Sequence, residues 1–365
     1  MNKKISVIGL GKLGLCFALN LEKKGFQITG IDIDENYINS INYKTLKSLE
    51  KDVELLLSRC ENLYASNNLE LALENDIIFV VVATPSLPNG KYNHEQIDIL
   101  VSKLKKIGKQ QKRKDLVICC TTMPTYCDKI QEELDSYNYK ISYNPEFIAQ
   151  GSIIKDQLYP DMVLIGQADE ISGNLIENVY KNLVENQPVF CKMSRTEAEI
   201  TKISINCFVT TKISFANMIG DICNKLEISH FNVLNAIGCD SRINNKYLKW
   251  GYGFGGPCFP RDNRALGIFA EEINIDPLIP KASDQYNNIH LNYQIEDFIR
   301  KNEKQTIEID GVSYKKDSII IEESQQLKFA VELAKKGLKI VIKDKIEVIT
   351  QVKKIYGDLF EYTSN

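Results

Sequence analysis

The chain has 365 residues and a formal net charge of −3, with 44% hydrophobic and 25% charged residues. That length is too great for one ordinary core and enough for two or three domains of a soluble globular protein. The basic residues are scattered, which argues against a nucleic-acid surface, and no apolar run is long enough to span a bilayer.

The N-terminus, MNKKISVIGLGKLGLCFAL, sets two lysines before an apolar stretch. Lys12 and three glycines interrupt that stretch, which a signal peptide would not tolerate. KISVIGL (4–10) ends in glycine and predicts a buried strand, 12–24 predicts a helix stopped by Gly25, and QITGID (27–32) predicts a second strand. DIIFVVVATP (76–85), DLVICCTT (115–122) and KISYNPEF (140–147) predict further strands separated by helices. The alternation implies an α/β fold, a Rossmann-like doubly wound parallel sheet, with Thr84, Thr122 and Glu146 at its carboxyl edge.

From Ser194 the texture changes to a long helical pattern without proline, and T-x-x-E at Thr196–Glu199 predicts a capping box at its start. Helical patterns run on to about Ile299, broken by a glycine loop at 251–256, and strand and helix return from about 301. The expected organisation is 1–193 as a Rossmann-like domain, 194–299 as a central helical domain and 300–365 as a short α/β domain. KKGLKIVIKD (335–344) echoes KKGFQITGID (23–32), so the tail is a second nucleotide-binding-like unit without the glycine loop. The ten cysteines form no C-x-x-C pair, and His94, His230 and His290 stand far apart. No metal site is expected, and reduced thiols point to a cytoplasmic protein.

GLGKLG (9–14) is a G-x-G-x-x-G sequence between a strand and a helix, and Asp32 ends the next strand. Gly9, Gly11 and Gly14 allow a tight turn and close approach of a pyrophosphate, while Asp32 suits the ribose hydroxyls of NAD over NADP. The alternative is a glycine turn needed only for packing. In GYGFGGPCFPRDN (251–263), Cys258 precedes a helical pattern whose N-terminus would stabilise a thiolate, Arg261 adds positive charge, and Asp262 lies one turn on as a possible base. A structural cysteine is the other reading. Lys202 and Asn206 share a helix face, as an oxyanion site or a solvated stripe. Glu146, after Pro145, is a crevice carboxylate or an acid at a helix start.

GLGKLG, VVATPS, TTMP, NPEFIAQGSI with PDMVLIG, AEITKISIN, DSRI, GFGGPCFPRD and GVSYK occur in order from residue 1 to about 345. Together they resemble the UDP-glucose/GDP-mannose dehydrogenase family. The resemblance implies an NAD-dependent four-electron oxidation of the C6 alcohol of a nucleotide sugar, with Cys258 forming a thiohemiacetal and then a thioester. It implies oxyanion stabilisation by Lys202 and Asn206, and proton and water handling by Asp262, Glu146 and a water held by Thr122. For the cofactor it implies Gly9, Gly11, Leu13, Gly14, Asp32, Thr84, Thr122, Gln150 and Arg261. For the substrate it implies Phe147, Ile148, Lys202, Asn206, Tyr247, Leu248, Phe254, Gly255 and Lys315, with Arg242 reaching the substrate of a neighbouring subunit in a homodimer built on the long helix. The glycine loop is then expected to let backbone approach the sugar. The cysteine loop and NPEF segment resemble the UDP-glucose enzymes most, ahead of GDP-mannose and UDP-N-acetylhexosamine. Departures are Gln150 for a glutamate, Arg261 for a lysine, Glu322 (or Glu323) near the place of an arginine in the tail, and an early end. They leave open a catalytically weak member that binds NAD or sugar nucleotide.

Overall fold

The computed structural model describes residues 4–148, 151–316 and 318–364. They form two compact units, 1–202 and 203–365, divided inside the long helix Arg195–Lys225. Gln150 lies outside the described residues.

The first unit is built on one sheet of eight strands: β1 (Lys4–Ile8), β2 (Gln27–Ile31), β3 (Leu63–Ser66), β4 (Ile77–Val80), β5 (Lys114–Ile118), β6 (Tyr139–Tyr143), β7 (Met162–Gly166) and β8 (Val189–Met193). Their order is β3-β2-β1-β4-β5-β6-β7-β8, parallel except where β6 meets β7. Successive strand residues alternate between two cores. Phe79 and Val117 join Ile5, Val7 and Ile28 on one face. Ile78, Val80, Leu116 and Ile118 join Ile141 and Tyr143 on the other. A parallel sheet covered on both faces needs such apolar runs, which is why β1, β2 and β4 fall inside the predicted segments and β5 and β6 begin one residue before theirs. β3, β7 and β8 are additions. β3 and β8 are edge strands of mixed burial and carry no such run.

The second unit contains the helices His230–Gly238, Phe259–Glu272 and Leu278–Lys301, and a parallel sheet of β9 (Thr306–Asp310), β10 (Lys339–Asp344) and β11 (Glu361–Ser364), ordered β11-β10-β9. Leu291 and Ile295 of the helix Leu278–Lys301 share one core with Ile307, Ile309, Leu333 and Ile342, so the tail packs on this helix.

The sequence echo between the tail and the first unit is structural. Gly25 and Gly337, just after helix ends, sit at φ +88° and +89°. In the first unit, Leu10 N–H donates to Asp32 Oδ2 at 2.8 Å beyond Gly9 at φ +89°. In the tail, Val312 N–H donates to Asp344 Oδ2 at 2.8 Å beyond Gly311 at φ +85°. The tail then continues VSYK, where the first unit has the rest of GLGKLG.

Candidate active site

The sheet order reverses between β1 and β4, the place where such sheets take ligands. Three glycines build the turn after β1, for three reasons. At Gly9, φ is +89° and a Cβ would lie 2.4 Å from Val81 O. At Gly14 a Cβ would lie 1.9 Å from Gly9 O, so the helix Lys12–Lys23 can start against the strand only with glycine there. Gly11 has open space around its Cβ position. It caps a helix N-terminus that has no side-chain cap, which suits an anion brought against bare backbone. Leu13 is 38% exposed beside it. Asp32, half-buried, accepts from Leu10 N–H (2.8 Å), Ile33 N–H (2.7 Å) and Asp34 N–H (3.2 Å). A carboxylate has about four acceptor positions, so about one remains for a ribose hydroxyl.

β4, β5 and β6 are neighbours, and Thr84, Thr122 and Glu146 follow their carboxyl ends. Thr84 is buried and its hydroxyl donates to Thr121 O at 2.8 Å. Thr122 is fully buried and donates to Glu199 Oε1 at 2.8 Å. Glu199, read from the sequence only as a capping-box residue, is the buried partner of Thr122. It also accepts from Thr125 N–H (2.8 Å) and Cys127 N–H (2.9 Å), and burial pushes its carboxyl up while these donors pull it down. The expected capping box is corrected accordingly: Ser194 and Glu197 form it, with Ser194 N–H to Glu197 Oε2 at 2.7 Å and Glu197 N–H to Ser194 Oγ at 3.4 Å. Thr196 bonds Asp128 instead. The signal for Glu199 is its place beside Ala198, both buried, on the inner side of the helix.

Lys202 is buried and donates to the main-chain carbonyl of Glu146 at 2.6 Å. Its ammonium lies 4.3 Å from the centre of the Phe147 ring. Burial pushes the Glu146 carboxyl up to about 7 against the pull of Lys202 and Tyr180. Phe147 and Ile148 are partly buried, each packed on a different face of the sheet.

In the second unit Cys258 is exposed and caps the helix Phe259–Glu272, which has proline in its first turn. Asp262 N–H donates to Cys258 O at 2.8 Å, closing the first turn. Asp262 is buried, and its two oxygens accept from Asn206 Nδ2 at 2.6 Å and Arg261 Nε at 3.2 Å. The main chain of Cys258, the amide of Asn206 and the carboxylate of Asp262 thus share one hydrogen-bonded corner.

Three glycines of the loop meet a protein-packing demand. A Cβ at Gly255 would meet Glu323 O at 2.3 Å, one at Gly256 the Tyr314 ring at 2.3 Å, and one at Gly253 Asn287 Oδ1 at 2.0 Å. Gly256 N–H donates to Glu322 O at 3.1 Å. Glu322 is itself exposed, whereas Glu323 pairs with Arg264 at 2.8 Å and with Lys328. Phe254 and Leu248 are buried, Leu248 in a core with Ala216 and Leu234. Tyr247 is 53% exposed at φ +60° and packs edge-on against Phe259. Arg242 is exposed and bonded to Asp240 at 2.7 Å. Lys315, half-buried, places its ammonium 5.8 Å from the Tyr314 ring. Among the described residues no cluster of metal-ligating side chains occurs, and no helix is long and apolar enough to cross a membrane.

A glycine turn at the switch point of a parallel sheet, closed by an aspartate on the next strand, defines a dinucleotide-binding unit of the dehydrogenase class. The chain belongs to the UDP-glucose/GDP-mannose dehydrogenase family: the family's NAD-binding domain matches residues 3–184 and its central domain residues 196–289. It is similar to the UDP-glucose 6-dehydrogenase YwqF of Bacillus subtilis (31% identity, 98% of this chain and 83% of that one). It is also similar to the GDP-mannose 6-dehydrogenase of Pseudomonas aeruginosa (27%, 94% and 81%). A UDP-glucose dehydrogenase structure from Pyrobaculum islandicum superposes with a TM-score of 0.88 at 26% identity, over 99% of this chain and 86% of that one. The protein is a nucleotide-sugar dehydrogenase, and NAD is its cofactor.

Proposed function

We propose that the chain oxidises the C6 alcohol of UDP-glucose to the carboxylate, through a covalent adduct on Cys258. The observation that carries this reading is an exposed thiol at a helix N-terminus, in the same corner as the Asn206–Asp262 pair. A helix N-terminus favours thiolate. The open backbone at Gly11 and the half-buried Asp32 fit the pyrophosphate and ribose of NAD. When bound, NAD accepts hydride, and two such transfers remove the four electrons that separate alcohol from acid.

The residues then have distinct tasks. The Cys258 thiolate adds to the aldehyde carbon, and the carbonyl oxygen takes the negative charge of the new thiohemiacetal. Lys202 and Asn206, one turn apart on one helix, offer an ammonium and an amide N–H to oxyanions. At the thioester level the C–S bond is broken by water, which leaves the carboxylate and returns the thiol. Glu146, whose carboxyl titrates at about 7, is suited to hold the proton removed from the alcohol or the water. Asp262, held by Asn206 and Arg261, orients the corner and serves as the second proton acceptor.

UDP-glucose is preferred because the cysteine loop and the NPEF segment resemble those of UDP-glucose enzymes, and because YwqF carries that name. The domains of the working enzyme are proposed as 1–193, 194–299 and 300–365. A homodimer is proposed through the long helix, where Phe208, Phe215 and Ile222 stand 71%, 44% and 49% exposed at seven-residue spacing. Steady-state rates with NAD and UDP-glucose, GDP-mannose and UDP-N-acetylmannosamine, read as NADH absorbance, test the substrate. The highest kcat/KM with UDP-glucose supports the reading, and a higher value with either rival overturns it.

A further inference from the structure

The loop that leads to Cys258 is gripped by buried polar side chains from two helices of the second unit. On the helix Arg195–Lys225, Asn217 Oδ1 accepts Gly251 N–H at 3.1 Å, and one turn on Asp221 Oδ1 accepts Trp250 Nε1–H at 2.9 Å. On the helix Leu278–Lys301, Asn287 brackets Phe254, accepting its N–H and donating to its carbonyl, both at 2.9 Å. One turn further, His290 Nε2 lies 2.6 Å from Gly251 O, which also accepts from Gln294 Nε2 at 3.1 Å. The other ring nitrogen, Nδ1, lies 2.8 Å from Asp221 Oδ2, where the Tyr286 hydroxyl donates at 3.0 Å.

The proton count follows from these partners. A main-chain carbonyl only accepts, and so does a carboxylate that already receives an indole N–H and a phenol. Both sides of the His290 ring therefore face acceptors, and each nitrogen must donate. The ring is fully buried, and it is paired with the carboxylate of Asp221. A buried ion pair is costly to form and contributes little net stability compared with apolar packing. What this one does achieve is to fix the Gly251 carbonyl.

We propose that His290 is a positioning residue for the Cys258 loop: a buried imidazolium, protonated on both nitrogens, that ties Gly251 to Asp221. The link from loop order to turnover rests on Cys258 being the nucleophile; the proton count does not.

The test uses the full chain at pH 7.5. In ¹⁵N-labelled protein, the imidazole signals lost in His290→Gln identify the ring, and both of its nitrogens should carry protons. In Asp221→Asn the new amide can donate to Nδ1, so only Nε2 should remain protonated while the loop stays held. In His290→Leu, amide hydrogen exchange in the 251–256 peptide should rise about tenfold with the β1–β6 peptides unchanged. With UDP-glucose, kcat should fall while the KM for NAD stays. A bare ring nitrogen in the wild type overturns the proposal, as does unchanged loop exchange in His290→Leu. Faster exchange with unaltered kcat overturns the positioning role. If the wild type turns over no sugar nucleotide, the substrate reading fails, while the imidazole and exchange readouts still decide the clamp.

Discussion

Lys202 Nζ donates to the main-chain carbonyl of Glu146 at 2.6 Å, so one ammonium both fixes the turn after β6 and holds down the carboxyl of the same residue. Lys202→Met keeps much of the packing against Phe147 and removes the charge. It should lower kcat by about 10²–10³ with a small change in KM, as for other oxyanion donors. It should also move the Glu146 titration upward from about 7, because the cation that opposes burial is gone. A ¹³C-carboxyl titration reads the second effect; an unmoved midpoint with an unmoved kcat would return Lys202 to a structural role.

Asp32 is fixed by three backbone N–H groups before any ligand arrives. Asp32→Asn should weaken NAD binding about tenfold to a hundredfold and narrow the preference over NADP, since a charged acceptor is lost and a phosphate is no longer repelled. Calorimetric titration of both nucleotides checks it, and equal NAD affinities would count against the assignment.

His94 accepts from Met123 N–H through Nε2 at 3.2 Å, stacks on Tyr126, and is pushed down to about 4 by burial. The folded state thus holds it neutral, whereas the unfolded chain protonates it near 6.5. Its stabilising contribution is full above about 6.5 and is lost as pH falls towards 4. His94→Gln should flatten the fall in unfolding midpoint across that window, removing on the order of 2–3 kcal/mol of pH dependence. Parallel melts of both proteins from pH 7 to pH 4 measure this, and superimposable curves would refute it.

Gly255→Ala sets a methyl 2.3 Å from Glu323 O, a backbone atom that cannot step aside. A cost of about 1–3 kcal/mol is expected from overpacking. Gly251→Ala, with open space at its Cβ position, should stay within about 0.5 kcal/mol. Thermal unfolding of the two variants distinguishes tail packing from the sugar as the cause of these glycines, and equal midpoints would argue against the tail.

The central strands around the glycine turn were legible because a sheet covered on both faces must write its burial as apolar runs. Edge strands such as β3 and β8 write none. The start of the long helix shows a different limit. Ser194-x-x-Glu197 and Thr196-x-x-Glu199 both fit a capping box, and a shift of two residues decides between them. Burial of Glu199 decided it, by bringing Thr122 from the loop after β5 and Cys127 from the helix that follows. The partners of Gly255 and Gly256 are likewise distant in sequence, so a local reading could see that glycine was required but not what required it. The tail carboxylate is a third case. Glu322 or Glu323 stood in the sequence near the place of an arginine; Glu322 is exposed and uses its main-chain carbonyl on Gly256, while Glu323 is paired with Arg264 and Lys328.

The covalent role of Cys258 is tested most directly by counting NADH formed per UDP-glucose consumed, with NAD in excess and the reaction run to completion. A thiol that carries the second oxidation gives two NADH for each sugar and free UDP-glucuronate, and Cys258→Ala loses the acid while keeping NAD affinity. One NADH per sugar, or undiminished acid from Cys258→Ala, would contradict it.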